Sequence, residues 1–164
     1  MGFRDAPPRA AALIESLRGL GYTLPTALAD LIDNSIAAGA NVVDVDFRWD
    51  GEASSIAILD DGRGMSPERL EAAMRLGETN PNDERSADDL GRFGLGLKTA
   101  AFSQGRSLTV ASRAEGHDLE CLRWDLDVLK DSRNQGWHLL EGPRPGSEER
   151  LDVLDGMNSG TLVL

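Results

Sequence analysis

Three segments marked by glycine and acid limit what this chain of 164 residues can fold into. In order they are ADLIDNSIAAGA (Ala29 to Ala40), LDDGRGM (Leu59 to Met65) and GRFGLGLKTA (Gly91 to Ala100). The first reads as a helix carrying an acid at Asp30 and an amide at Asn34, four residues apart and therefore stacked on one face. That pair suits a general base beside a metal ligand. The second places the carboxylate of Asp60 at the end of an apolar strand, and Gly62 and Gly64 let the turn after it approach a ligand closely. The third is a glycine turn feeding a helix, where backbone N–H groups and the helix dipole favour phosphate.

The elements between these segments follow from periodicity and punctuation. Pro7 and Pro8 open a helix to about Leu20, with Ala12, Leu13, Leu17 and Leu20 as its apolar stripe and Gly21 as its stop. A second helix runs from near Pro25 to Gly39. Alternation of Val43, Val45 and Phe47 gives a strand, Asp50-Gly51 a hairpin turn, and Ser55 to Leu59 the partner strand. Ser66 caps a helix reaching Leu76, with Pro67 in its first turn. Gly77 to Arg92 is polar and rich in turn residues, which reads as a lid. Ser107 to Ser112, Leu119 to Leu126 across an Ala114 to Asp118 turn, Trp137 to Leu140, and Thr161 to Leu164 read as further strands. The last strand runs straight to the chain end, which leads us to expect an N-terminal piece of a longer polypeptide, with residues 1–164 forming one domain.

Composition narrows the function classes. A hydrophobic content of 40% supports a core, and a net charge of −11 argues against sequence-independent attraction to nucleic acid or anionic membrane. The single Cys121 makes no intramolecular disulfide, and no cysteine or histidine cluster has metal spacing. Neither a long apolar run nor a signal-peptide layout occurs, so a soluble protein of the reducing cytoplasm is expected.

Together the three segments resemble the N, G1 and G2 boxes of the GHKL ATPases, the superfamily of gyrase B, the cytosolic heat-shock chaperone, histidine kinases and MutL. ADLIDNSIAAGANVVDVDF is most similar to the MutL and MORC branches, and SGTLVL (Ser159 to Leu164) looks like their terminal strand. The resemblance implies an α+β two-layer sandwich of the Bergerat type, with helices on one face of a mixed, largely antiparallel sheet. It implies ATP or ADP with Mg²⁺ as ligands, slow hydrolysis, and a nucleotide-dependent homodimer in the full-length protein. Nucleic acid would be met only through other domains, and a following domain would bring a lysine to the γ-phosphate.

Residue by residue, the resemblance makes Asp30 the base that polarises water and Asn34 the Mg²⁺ ligand. Asp60 and Thr161 hold adenine, within a nucleotide-binding set that also includes Gly62, Gly64, Met65, Gly94, Leu95, Gly96, Leu97 and Lys98. Gly94 to Gly96 offer N–H donors, and Lys98 adds charge to the phosphates. Because GRFGLGLKTA follows a polar stretch and not a strand, it matches neither a Walker loop nor a Rossmann fingerprint.

Two positions depart from the family pattern: Asp30 stands where Glu is usual, and Ala37 where Asp is usual. Aspartate is one methylene shorter, and a misplacement of about 1 Å costs on the order of 100-fold in rate. Binding is thus better founded than hydrolysis. The alternatives are the ATP-binding half of a histidine kinase, whose phosphoacceptor histidine the first helix lacks, and a hydrolysis-deficient interaction module. His117 and His138 read as solvated or packed, Cys121 as buried, and Trp49, Trp124 and Trp137 as core or sheet-face residues.

Overall fold

A computed structural model describes residues 2, 4, 8–19, 22–76, 96–131 and 136–164. The expected lid, Gly77 to Arg92, lies outside the described residues, as do Gly94, Leu95, Leu20 and Gly21. The helices are α1 (Ala10–Arg18), α2 (Leu24–Ala37), α3 (Pro67–Met74), α4 (Gly96–Gln104) and α5 (Leu126–Lys130). The strands are β1 (Val43–Arg48), β2 (Ser55–Asp60), β3 (Ser107–Arg113), β4 (Glu120–Asp125), β5 (Leu140–Glu141) and β6 (Gly160–Val163).

One six-stranded sheet runs in the order β1-β2-β6-β3-β4-β5. Every pairing is antiparallel, so the sheet is not mixed, while the α+β class stands. The terminal strand β6 enters between β2 and β3, which sets Thr161 opposite both Asp60 and Ser112. Asp60 of the second segment, Ser112 of β3 and Thr161 of β6 therefore meet in mid-sheet.

Strand alternation sorts the apolar residues into two layers. Leu108, Val110, Leu122 and Trp124 face the helices and pack with Ile14 of α1, Leu70 and Met74 of α3, Phe102 of α4 and Leu126 and Leu129 of α5. Ala57, Ala111 and Leu162 face the other way, onto Leu154 of a 3-10 helix at Glu148–Leu154. Neither that short helix nor α5 carries enough periodicity to be read from sequence.

Local chemistry accounts for the helix starts. The Thr23 and Ser66 hydroxyls accept the N–H groups of Thr26 and Arg69, and each cap is followed by proline in the first turn. The apolar stripe of α1 differs from expectation: Ala10 and Ile14 are buried, whereas Leu13 is 39% exposed. Ile14, outside that stripe, is the residue that fills the core, which leaves Glu15 on the flank to pair with Arg106 at 3.2 Å and Lys130 at 2.6 Å. The β1–β2 connection also differs, since Asp50-Gly51 leads into a 3-10 turn at Gly51–Ala53 rather than a two-residue hairpin. Trp137 precedes β5 and lies outside the sheet.

Candidate functional site

The floor of the site is a buried polar network. Asp60, 5% exposed at the end of β2, accepts hydrogen bonds from the Ser35 hydroxyl at 2.8 Å and the Gly62 N–H at 2.9 Å. Thr161 and Ser112 share a hydroxyl–hydroxyl bond of 2.9 Å, and Ser112 also accepts the Met65 N–H at 2.9 Å. Two of about four lone-pair sites on the Asp60 carboxylate remain for an external donor. Asp60, Gly62, Met65 and Thr161 are thus brought together as expected. Ser35 and Ser112 were missed, although each stands at an inward position: Ser35 in the Ala27-Leu31-Ser35 stripe, Ser112 after Leu108 and Val110. A hydroxyl on an otherwise apolar face is the signal of a buried partner.

The loop after Asp60 is stitched to the end of α2. The Asp61 carboxylate accepts the Asn41 and Val42 N–H groups at 2.7 and 2.9 Å, which holds its pKa below the usual carboxylate range. The Arg63 N–H reaches the Ala38 carbonyl at 3.1 Å. Glycine is required twice here. A Cβ on Gly62 would lie 2.8 Å from the Ala38 Cβ, and Gly64, at φ +62°, passes directly over the backbone of Arg113.

On α2, Asp30 is half-buried and Asn34 exposed, one turn apart on the same face. The Tyr22 phenol ionises above its ordinary range, chiefly because the Asp30 carboxylate opposes the phenolate and then through burial, with Thr99 acting the other way. The Asn34 amide makes no hydrogen bond to a described residue, and as a neutral oxygen donor it fits a cation that retains most of its waters. Among the described residues no group of three or more acidic, histidine or cysteine side chains could hold a metal. Asp33 is exposed.

Gly96 is the first residue of α4, and Leu97 packs against the main core. Lys98 is 2% exposed, and its Nζ donates to the carbonyls of Ala73 at 2.7 Å and Arg75 at 2.6 Å. Trp124 Nε1 takes the intervening Met74 carbonyl at 2.8 Å. Lys98 therefore caps the C-terminal end of α3, where carbonyls lack intrahelical partners.

The remaining candidates are inert. Burial pushes the Cys121 thiol up to about 11, so it is not a thiolate at neutral pH. His117 lies in the β3–β4 turn and His138 is exposed. Trp124 is in the core with Trp137 edge-on to it, whereas Trp49 is 74% exposed and stacked on Phe47 of β1. A concavity of about 480 Å³ on the opposite face of the sheet is lined by Asp44, Asp46, Glu149 and Asp152, and its Arg150 is paired with Asp46 at 3.1 Å. Four acids there repel a polyphosphate.

A helix-covered antiparallel sheet with a strand-end carboxylate, a close glycine turn and a glycine-led helix defines an ATPase-type nucleotide domain. The family described as Histidine kinase-, DNA gyrase B-, and HSP90-like ATPase matches residues 22–161, and the chain belongs to it. Protein MICRORCHIDIA 4 of Arabidopsis thaliana is 38% identical over 98 residues, covering 56% of this chain and 12% of that protein. ATPase morc-1 of Caenorhabditis elegans is 32% identical, over 56% of the chain and 10% of its own length. DNA mismatch repair protein MutL of Paramagnetospirillum magneticum is 36% identical, over 63% of the chain and 16% of its own length. The chain thus matches only a small part of each relative. No helix among the described residues is long and apolar enough to cross a membrane.

Proposed function

We propose that the chain binds ATP with Mg²⁺, hydrolyses it slowly, and acts as a nucleotide-gated switch that dimerises in the full-length protein. Membership of the ATPase family supports nucleotide binding, and likeness to MORC and MutL proteins supports the switch. The observation that carries the reading is the buried Asp60 network with Thr161, Ser112 and Ser35. Its carboxylate is the acceptor for the adenine amine, and the hydroxyls beside it serve a ring nitrogen through water. The first turn of α4 favours the phosphates, Asn34 would hold Mg²⁺, and Asp30 orients water. When bound, Mg²⁺ supplies charge neutralisation between the phosphates.

Asp60→Asn tests this. The amide still accepts the Gly62 N–H and donates to Ser35, so folding is retained, but a charge and acceptor sites are lost. We expect ADP affinity to fall on the order of 100-fold, since a binding site built to pair a hydrogen-bonding group penalises its mismatch strongly. Calorimetry showing equal affinity for both proteins removes the adenine assignment. A second reading, binding without hydrolysis, is favoured by the short side chain of Asp30; single-turnover hydrolysis by parent and Asp30→Asn separates the two.

A further inference from the structure

We propose that β1 pairs with β1 of a second copy, so that two sheets join edge to edge without nucleotide. The two ends of the sheet differ. β5 is too short to serve as a template, whereas β1 presents Val43–Arg48 with no proline, glycine or lysine to blunt it. The direction of its free hydrogen-bonding groups follows from the ladder. The Asp61 N–H meets the carbonyl of Val42, directly opposite it, at 3.3 Å, so Asp44, Asp46 and Arg48 bond to β2, while Val43, Val45 and Phe47 turn their N–H and C=O groups outward. The far side of β6 agrees. Leu164 and Thr109 exchange both their bonds at 2.8 Å, and counting back across β6 and β2 returns the same alternation.

Antiparallel pairing about a twofold axis must set outward residue against outward residue. Of the registers that do so, centring on Val45 opposes Asp44 to Asp46 twice, and centring on Phe47 opposes Asp44 to Asp50 twice. Centring on Asp46 instead opposes Asp44 to Arg48 of the second copy, twice, and sets Val45 against Phe47 and Val43 against Trp49 on one face. Asp46 then meets its own copy at the axis, but each is already paired within its chain, to Arg150 at 3.1 Å and Arg48 at 3.5 Å. Phe47 and Trp49, 40% and 74% exposed and stacked at 5.9 Å, gain an apolar neighbour. Charges of mixed sign make this edge selective for its own sequence. None of these residues belongs to the nucleotide-binding set, so the pairing goes beyond the nucleotide-dependent dimer proposed above.

Sedimentation equilibrium without nucleotide, from about 1 µM to about 1 mM, should show reversible dimerisation with a Kd between about 10 µM and about 1 mM, as suits an interface at the small end of the range. Asp44 and Arg48 are exposed, so Asp44→Arg and Arg48→Asp should each leave Tm within about 2 °C of the parent. Each places like charges at both pairs and should weaken association on the order of tenfold or more. Mixed in equal amounts, the two variants restore opposite charges at both pairs of a heterodimer, so the mixture should be heavier than either variant alone at the same total concentration. A parent that stays monomeric throughout, or a mixture no heavier than its components, overturns the proposal. Stronger self-association of Asp44→Arg refutes this register in favour of the one centred on Val45. Because nucleotide is absent, failure here leaves the reading of the ATP site standing.

Discussion

Replacing Gly64 by alanine tests how the nucleotide loop is seated. An added Cβ would lie 1.9 Å from the Arg113 carbonyl oxygen, where a carbon–oxygen contact needs about 3.3 Å, so the loop must retreat by about 1.4 Å. The left-handed backbone at φ +62° costs alanine about 1–2 kcal/mol in addition. Retreat also breaks the Met65 N–H bond to Ser112, now 2.9 Å, leaving a part-buried donor unmatched at about 1–3 kcal/mol. The total is about 2–5 kcal/mol, or a fall in Tm of about 5–15 °C for a domain of this size. Gly116→Ala is the internal control. Gly116 has a similar φ of +77° but nothing within 4 Å of the added Cβ, so only the backbone strain applies and Tm should fall by about 2–6 °C. Thermal unfolding of both variants, with ADP calorimetry, separates close approach from strain. If Gly64→Ala melts within about 2 °C of Gly116→Ala and binds ADP like the parent, the loop is not seated against β3 and the reasoning fails.

Lys98→Met leaves the carbonyls of Ala73 and Arg75 without their donor and should destabilise the nucleotide-free protein by about 2–4 kcal/mol. An unchanged Tm with weakened ATP binding would instead return Lys98 to the phosphates. Asp61 gives a pH dependence. Its folded pKa is depressed by the Val42 and Asn41 amides, so its contribution is complete above the unfolded value near pH 4 and is lost as pH falls through the folded value. Asp61→Asn should lower the urea midpoint at pH 7 and make the loss between pH 7 and pH 3 shallower than in the parent; parallel curves would contradict this.

What sequence reveals here is what short-range chemistry decides. Ser66-Pro67 marks the start of α3 because cap and proline act within one turn, and Asp60 falls at the end of β2 because the apolar run stops there. Long-range partners are harder to read. Lys98 occupies a position where charge beside a glycine turn suggests phosphate, yet its ammonium serves carbonyls more than twenty residues earlier, across a helix–helix contact that no periodicity encodes. The face that α1 buries has the same origin, since Ile14 packs on residues far along the chain such as Phe102 and Leu126. Of the two places open to Trp49, core or sheet face, its neighbours decide: it follows the edge strand β1, where it stacks on Phe47 and stays exposed.

The site is organised around α2 more than around its loops. Ser35 binds the Asp60 floor, while Asp30 lies five residues earlier and so about 7.5 Å along the axis. On the proposed reading, one rigid helix then spaces the adenine end of the site from its water-orienting end. The glycine loop is tied to the same helix through Ala38 and, by way of Asp61, to the turn that follows it. Nucleotide seated on the floor would therefore bear on α2 directly, and α2 packs against α4. If Asp30 is the base, as proposed, the packing of α2 against α4 bears on hydrolysis in the way that the Ser35 bond to Asp60 bears on binding.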